Sequence, residues 1–396
     1  MADYSRIPAS ATLNPQPFKA HIPEEKLKLM KDLIRLSPLA PEVFENAGTD
    51  RKMGIRRSWL ASAQKIWLED FDWRKTEEYI NSFPNFTVDL KDSDGNEISL
   101  HFAALFSTRE DAVPISMAHG WPGSFLEGLK VMEVLRERYS PEELPYHLIV
   151  PSLPGYAFSS IPPNVDYTVP LCASLFDTLM RGLGFESYIA QGGDVGTGIA
   201  MGQAGMSEAC KGFHLNNSFG DPPEGEADPE RGLDEVEKKG LRRGEEFLKT
   251  GMAYAHEHGT RPGTIGLVLQ SSPVAGLIWI GEKYLEWTDE DPSVEKILQV
   301  ASLYWLTDTY ARCIYPYRAL LSPDAWKRPP KIEKPFGYSF FPLDVLPKPG
   351  KWAAQSGDLV HYVRHDTGGH FPALEKPVEL LEDIDAFVKK AWSVKK

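Results

Sequence analysis

Apolar residues recur along the chain with two different periods, which predicts an alternation of helices and strands. Residues 24–36 (EEKLKLMKDLIRL) and 58–70 carry apolar side chains three and four positions apart, which predicts two amphipathic helices. A turn at Asp94-Gly95 then precedes the apolar run ISLHFAALF, which predicts a strand.

Short apolar runs from residue 114 onward predict buried strands, each followed by a glycine-containing loop or a helix. The predicted strands lie in PISMAHG (114–120), HLIVPSLPGYAFS (147–159), SYIAQGG (187–193) and GFHLNN (212–217), and helices are predicted over 168–183 and in GTGIAMGQAGM (196–206). Strands that alternate with helices predict an α/β protein with a mostly parallel sheet.

The alternation stops near residue 219 and resumes more than a hundred residues later. Residues 221–250 are polar, charged and helix-like, and helical patterns continue to about residue 325. Strands return in PFGYSFFP (335–342) and LVHYVRH (359–365) before a last helix over 376–392. A long ordered insertion in a compact domain is usually functional. We therefore predict a helical lid over 219–325, inserted between two parts of one core, 111–218 and 326–396.

Composition and charge narrow the classes of partner and compartment. The net charge is −13 and no run of lysine and arginine marks a nucleic-acid surface. Cys172, Cys210 and Cys313 are odd in number and widely spaced, which disfavours a disulfide framework or a zinc site. The N-terminus lacks the apolar core of a secretion signal, and the longest apolar stretch, 272–280, is too short to span a bilayer. The expectation is a soluble cytoplasmic protein that binds neither nucleic acid nor membrane.

The segment QGGDVGTG (191–198) is the strongest candidate for chemistry. A strand, a tight turn that carries a nucleophile, and a helix form the nucleophile elbow of α/β-hydrolases, and glycines beside the nucleophile relieve its strained backbone. Asp194 occupies the nucleophile position here, with Gly192 two residues before it and Gly196 two residues after it. Taken alone, the pattern is explained more simply by an aspartate that caps the following helix.

The order of residues along the chain favours the elbow. Enzymes of this fold carry nucleophile, acid and histidine in that order, the last two on loops after later strands. His370 follows the last predicted strand and precedes the final helix, and Asp344 follows the strand before it. Glu333 lies before that strand and Asp358 opens the next one, so both are less suited; His365 is expected at or just past the strand end.

The loop HGWPGS (119–124) follows the strand that ends at Ala118. In this fold that loop supplies one backbone N–H of the oxyanion hole, and the residue after the nucleophile supplies the other. The predicted donors are the backbone N–H groups of Trp121 and Val195. His119 is expected to support the backbone and not to act in catalysis.

An aspartate nucleophile favours particular substrates. A carboxylate suits attack on a saturated carbon that bears a leaving group or ring strain, which forms an alkyl ester that water hydrolyses. Alkyl halides and epoxides both fit. A halide calls for N–H donors such as tryptophan, and Val195 cannot donate from its side chain; an epoxide calls for a proton donor, which Tyr254 or Tyr317 in the predicted lid could provide. The alternative functions are a dehalogenase, a serine esterase and a non-catalytic binding protein. A serine esterase is disfavoured because neither Ser124 nor Ser207 lies in a nucleophile elbow.

Longer motifs along nearly the whole chain resemble the microsomal-type epoxide hydrolases, and most of all their soluble fungal members. The motifs are PFKAHIPEEKL, WLEDFDWRKTEEYINSFPNF, HGWPGSF, QGGDVGTG, RPGTIGLVLQSSPVAGLIWIGEKYLEWTD, YWLTDT, FFPLD and GGHFPALEKP. The resemblance implies an α/β-hydrolase fold in which residues 1–110 form a helical meander with the first strands. It implies hydrolysis of a small epoxide with no cofactor and no metal, and soluble relatives of this kind are commonly homodimers.

The resemblance also implies roles for individual residues. Asp194 would be the nucleophile, His370 the general base and Asp344 the acid that orients it. Tyr254 and Tyr317 would be the paired phenols that hold and protonate the epoxide oxygen.

Three further assignments follow from the same alignment of motifs and from the need for an apolar pocket. Tyr315 competes with Tyr317, which is preferred because it precedes Arg318 in the family's Tyr-basic pattern. Trp121 and Phe219 are candidate substrate contacts. The physiological epoxide, the stereochemistry and the choice between detoxification and biosynthesis stay open at this point.

Overall fold

The computed structural model describes residues 3–48, 50–321 and 330–392. In these ranges the chain forms a nine-stranded sheet with helices on both faces. The strands are β1 (Gln16–Pro17), β2 (Asn85–Lys91), β3 (Glu97–Leu105), β4 (Val113–Ala118), β5 (Tyr146–Pro151), β6 (Tyr188–Gly192), β7 (Cys210–Leu215), β8 (Ile332–Phe340) and β9 (Gly357–Arg364).

The helices divide into three sets along the chain. The N-terminal set is α1 (Glu24–Leu36), α2 (Phe44–Ala47), α3 (Arg57–Glu69) and α4 (Trp73–Asn81). The core set is α5 (Phe125–Arg138), α6 (Val169–Gly182), α7 (Val195–Met206), α14 (Gly350–Ala353), α15 (Pro372–Glu375) and α16 (Pro377–Trp392). Between β7 and β8 lie α8 (Glu235–Thr250), α9 (Ala253–Thr260), α10 (Pro262–Ser271), α11 (Pro273–Trp287), α12 (Val294–Leu306), α13 (Thr309–Arg312) and a 3₁₀ helix, Tyr315–Leu321.

The strand order β1-β2-β3-β5-β4-β6-β7-β8-β9 determines where the candidate residues meet. Across the sheet, each neighbouring pair from β1 through β2 and β3 to β5 is antiparallel. Each neighbouring pair from β5 through β4, β6, β7 and β8 to β9 is parallel. β4, β5 and β6 are buried along their whole length, as expected for parallel strands covered by helices on both faces, whereas β9 at the sheet edge is only partly buried. Loops that follow parallel strands emerge at one edge of the sheet, where open α/β proteins bind their ligands.

The elements predicted from periodicity are confirmed with small shifts at their ends. The helix predicted over 24–36 is α1, in which Leu27, Met30 and Ile34 are buried at helical spacing. The helix predicted over 168–183 is α6, and the helix predicted over 376–392 is α16. Each predicted strand from residue 114 onward overlaps one of β4 to β9.

The N-terminal helices support the inserted helices from outside. Both α3 and α4 contact α12, and α1 contacts α11 and α12. The indole of Trp67, fully buried on α3, donates a hydrogen bond to Ser302 Oγ on α12 at 3.0 Å. The inserted helices are therefore packed between the sheet edge and the N-terminal helices.

No single helix of the described ranges has the length and apolar composition of a membrane span. Taken together, α10 and α11 satisfy that test of length and composition, but the two are bent by 114° at their junction.

Candidate active site

The turn between β6 and α7 holds Asp194 in a strained backbone conformation. Its φ is +53° and its ψ −126°, a region that L-residues rarely adopt. The Asp194 side chain makes no capping hydrogen bond to α7, so the simpler interpretation of an aspartate that caps the helix is wrong. Glycine is required nearby because a Cβ on Gly196 would lie 2.3 Å from the carbonyl oxygen of Ala118.

The two carboxylate oxygens of Asp194 contact two different elements. Oδ1 accepts a hydrogen bond from the backbone N–H of Trp121 at 2.8 Å. Oδ2 lies 3.3 Å from Nε2 of His370. This close approach needs a glycine at position 120, since a Cβ there would lie 2.3 Å from Asp194 Oδ1. The loop after β4 and the loop after β9 therefore converge on the aspartate that follows β6.

The other nitrogen of His370 contacts Asp344, which follows β8. The distance from Nδ1 of His370 to Oδ1 of Asp344 is 2.6 Å, and both side chains are buried. The second oxygen of Asp344 accepts a hydrogen bond from the amide of Asn217, just past β7, at 2.8 Å. Arg243 on α8 donates to the carbonyl oxygen of Asp344 at 2.9 Å. Asn217 thus completes the hydrogen bonds of the buried acid, and the sequence offered no signal for it beyond its position after a strand.

The charge of the site favours a protonated His370 while Asp194 is ionised. Burial disfavours the imidazolium, but the charges of Asp344 and Asp194 and their hydrogen bonds to the ring outweigh that cost and raise the pKa of His370 to about 10. The indole ring of Trp287 lies edge-on to the imidazole, with ring centroids 5.0 Å apart, and the Trp287 carbonyl accepts the backbone N–H of His370 at 2.8 Å. The histidine is therefore fixed in both position and charge.

A cluster of aromatic rings from the HGWPGS loop and the segment inserted between β7 and β8 lies near the same carboxylate. The Trp121 ring stacks on Tyr254 at 5.1 Å and meets Tyr317 edge-on at 5.5 Å, and the two tyrosine rings lie 5.6 Å apart. Burial raises the pKa of both phenols, and the negative charge of Asp194 raises them further. His258 packs against all three rings and accepts the Trp279 indole N–H at 2.9 Å. Two buried, protonated phenols thus lie close to the aspartate.

Several other predicted residues lie elsewhere. Tyr315 turns away from the cluster toward the thiol of Cys172, 3.0 Å from its hydroxyl, so Tyr317 is the one that meets Tyr254. Phe219 is 51% exposed and packs on neither the triad nor the tyrosines, which gives no support to its predicted substrate contact. His365 follows β9 directly, as expected, and its Nε2 lies 2.7 Å from Oδ2 of Asp383 on α16.

A small inner cavity of about 40 Å³ lies beside the nucleophile. Its lining includes Asp194, His370, Gln191, Asn216 and Glu127. Each enclosed water needs roughly 10–15 Å³ of such volume, so the cavity can hold a few water molecules. The described residues contain no group of three or more histidine, cysteine, aspartate or glutamate side chains arranged to hold a metal ion.

Comparison with known proteins matches this geometry to one family. The model described as "Epoxide hydrolase N terminus" matches residues 15–128, and the α/β-hydrolase fold model matches residues 113–319. The solved structure of Aspergillus niger epoxide hydrolase is 46% identical and superposes with a TM-score of 0.93 over 99% of this chain and 100% of that one. The chain belongs to the epoxide hydrolase family.

Further relatives extend the likeness over the full length of this epoxide hydrolase. A protein of Dothistroma septosporum is 50% identical over 403 residues, which cover 100% of this chain and 94% of that protein. Epoxide hydrolase 1 of Sus scrofa is 29% identical over 424 residues, covering 97% of this chain and 90% of that protein. The resemblance found in the sequence and the predicted α/β-hydrolase fold are both confirmed.

One further residue of the epoxide hydrolase site escaped the sequence analysis. Glu127 lies in the first turn of α5, eight residues after His119, and its carboxylate packs against Gly123 of the HGWPGS loop. A glutamate at a helix start is explained by the helix dipole alone, so its position in the chain gave no reason to select it.

Proposed function

We propose that this epoxide hydrolase opens epoxides to vicinal diols through a covalent ester on Asp194. The observation that carries the proposal is the set of contacts around one carboxylate. Asp194 accepts the Trp121 N–H and faces His370 Nε2, and its charge acts on Tyr254 and Tyr317 of the aromatic cluster. A carboxylate nucleophile, a histidine and two phenols are the groups that ring opening followed by ester hydrolysis requires.

In the first step, the epoxide oxygen accepts hydrogen bonds from Tyr254 and Tyr317. Asp194 attacks one ring carbon from the opposite side, and the bond from that carbon to the epoxide oxygen breaks. One phenol gives its proton to the departing oxygen and becomes a phenolate. Because the pKa of both phenols is raised by burial and by the charge of Asp194, they stay protonated until a strongly basic oxygen develops beside them.

In the second step, formation of the ester removes the negative charge of Asp194. That charge helps to raise the pKa of His370 in the resting enzyme, so its loss lowers the pKa of His370. The imidazolium then gives its proton, directly or through water, to the tyrosine phenolate, and the neutral imidazole is free to act as a base. A water molecule attacks the Asp194 carboxyl carbon as its proton passes to Nε2, while Asp344 holds the Nδ1 proton. The backbone N–H groups of Trp121 and Val195 stabilise the tetrahedral oxyanion.

The cycle closes without an added reactant. The acyl–oxygen bond of the ester breaks, the diol oxygen takes the proton from His370, and Asp194 is released as a carboxylic acid. That acid gives its proton to the neutral His370, which restores the Asp194 carboxylate and the imidazolium of the resting enzyme. The sum is one epoxide and one water converted to one diol, with all side chains restored.

Trapping the ester tests the proposal. In a His370→Gln variant the first step proceeds and the second stalls, so we expect the intact protein mass to rise by the mass of an added aryl epoxide. Peptide mapping should locate the adduct on Asp194, and a double variant that also carries Asp194→Asn should gain no mass. An adduct on another residue, or none, would contradict the covalent scheme.

A further inference from the structure

A second acidic side chain shares the inner cavity with the nucleophile. Glu127 lines this cavity together with Asp194 and His370, whereas neither Tyr254 nor Tyr317 is among the lining residues. The cavity therefore borders Asp194 and His370 at a place that the two phenol rings do not line. Since the substrate must contact the phenols, the alkyl group of the ester lies against them, which leaves this cavity for water.

The position of Glu127 is fixed by its neighbours. Tyr284, buried on α11, donates its hydroxyl to Glu127 Oε1 at 3.4 Å, and the Tyr284 ring stacks on Phe371 at 4.5 Å. A Cβ on Gly123 would lie 2.2 Å from Glu127 Oε1, so the loop needs glycine there to admit the carboxyl group. The Tyr304 hydroxyl in turn donates to the Gly123 carbonyl at 2.7 Å.

Glu127 also lines an open groove on the outside of the protein. The groove has a volume of about 370 Å³ and runs between α4, α5 and α12. In the described part of the chain, Thr76 Oγ1 in this groove is buried without a hydrogen-bond partner. Glu127 thus lines both the cavity beside His370 and the groove.

We infer that Glu127 is a positioning residue for the hydrolytic water, which it holds between His370 Nε2 and the Asp194 carboxyl carbon. This role depends on the covalent route proposed above, because it concerns only the second step. The water gives one hydrogen to His370 Nε2 while its oxygen bonds to the Asp194 carboxyl carbon. Its second hydrogen bonds to a carboxyl oxygen of Glu127, which gains and loses no proton.

The charge state of Glu127 suits this role. Burial raises the pKa of Glu127 to about 8; the charge of His370 opposes that rise and the charge of Asp194 adds to it. A carboxyl group that is mostly neutral at pH 7 accepts the hydrogen of water through its carbonyl oxygen. It does not compete with His370 for the proton, as an ionised carboxylate would.

Separate measurement of the two chemical steps tests the inference. In single-turnover experiments with rapid quenching, we expect Glu127→Leu to form the ester at close to the wild-type rate and to hydrolyse it at least about tenfold more slowly. Glu127→Gln keeps a carbonyl acceptor and should recover most of the hydrolysis rate. Tyr284→Phe should slow hydrolysis less than Glu127→Leu, because it removes only the group that holds the carboxyl in place.

Glu137→Gln is the matched control, since it removes an exposed carboxylate from the same helix and should leave both steps unchanged. Hydrolysis at the wild-type rate in Glu127→Leu would overturn the inference, and so would an equal loss in the Leu and Gln variants. Neither result touches the covalent route, which fails only if the wild-type enzyme itself forms no ester on Asp194.

Discussion

Two aspartate–histidine pairs lie at the ends of β8 and β9, and only one of them belongs to the candidate site. His370 Nδ1 is 2.6 Å from Asp344, and His365 Nε2 is 2.7 Å from Asp383. The pairs are nearly equal in length and their histidines lie five residues apart. The difference is in the nitrogen that each aspartate engages and in what the other nitrogen faces.

The orientation of the ring determines what each pair can do. Asp344 engages Nδ1 of His370, so Nε2 points to Asp194 at 3.3 Å. Asp383 engages Nε2 of His365, and the ring stacks flat on Phe341 with centroids 4.5 Å apart. Asp383 also accepts a hydrogen bond from Ser339, a residue of β8. The second pair ties α16 to the sheet, whereas the first presents a ring nitrogen to a nucleophile.

Exchange of the two histidines for glutamine gives the largest expected contrast. His370→Gln should lower steady-state diol formation by about 10³-fold or more, because no other group takes the proton from water. His365→Gln should change diol formation by less than about threefold and lower the free energy of unfolding by roughly 1–3 kcal/mol, since it removes the imidazole that contacts the buried Asp383 carboxylate. Diol yield and chemical denaturation of both variants check this. Equal losses of activity would remove the distinction between the pairs.

Substitution of the two aspartates by asparagine should separate the pairs in the same way, with a smaller loss of diol formation. Asp344→Asn keeps the shape of the side chain but no longer stabilises the imidazolium or selects its tautomer, so we expect diol formation to fall by about 10²-fold or more. Asp383→Asn should act mainly on stability. The measurement is kcat for one epoxide together with the unfolding midpoint, and a large fall in kcat for Asp383→Asn at unchanged stability would contradict the assignment.

The tyrosines of the segment inserted between β7 and β8 allow a second contrast. Tyr254→Phe and Tyr317→Phe should each slow ester formation by roughly 10- to 10²-fold, because one phenol remains to protonate the epoxide oxygen. Tyr315→Phe is the matched control, since its hydroxyl contacts the Cys172 thiol, outside the aromatic cluster. Rapid-quench rates of ester formation distinguish the three variants. A slower first step in Tyr315→Phe than in Tyr317→Phe would reverse the choice between them.

The smallest expected effect is a shift in the pKa of His370. With Asp194 ionised, the pKa of His370 is raised to about 10, so its imidazolium should persist as the pH rises above 7. Asp194→Asn removes one of the two negative charges beside the ring and should lower the pKa of His370. Nuclear magnetic resonance of the His370 ring protons measures this shift. An unchanged His370 titration would show that Asp194 does not set the charge of the base.

The sequence predicts those site residues that directly follow a strand, because the order of the strands determines where these residues lie. Asp194, Asp344 and His370 follow β6, β8 and β9, and parallel strands bring such loops to one edge of the sheet. Side-chain direction is not encoded in that order. Phe219 lies only two residues after Asn217 in the segment that follows β7, yet Asn217 contacts Asp344 while Phe219 is half exposed.

Glu127 escaped the sequence analysis for a similar reason. Its role depends on the contact of α5 with the loop before it and with Tyr284 on α11, residues far apart in the chain. Tyr315 and Tyr317 were separated in the sequence only by the family's Tyr-basic pattern. The 3₁₀ helix that contains both explains the outcome physically, because it directs one ring to Cys172 and the other to Tyr254.

The covalent route is tested most directly by the source of the new oxygen in the diol. A single turnover in water enriched in oxygen-18, with enzyme in excess over epoxide, separates the two possible sources. We predict that the first diol contains unlabelled oxygen from Asp194 and that one label then appears in the Asp194 carboxyl group of the recovered protein. A diol labelled in the first turnover, with Asp194 left unlabelled, would mean that water attacks the epoxide directly and would contradict the role of Asp194 as nucleophile.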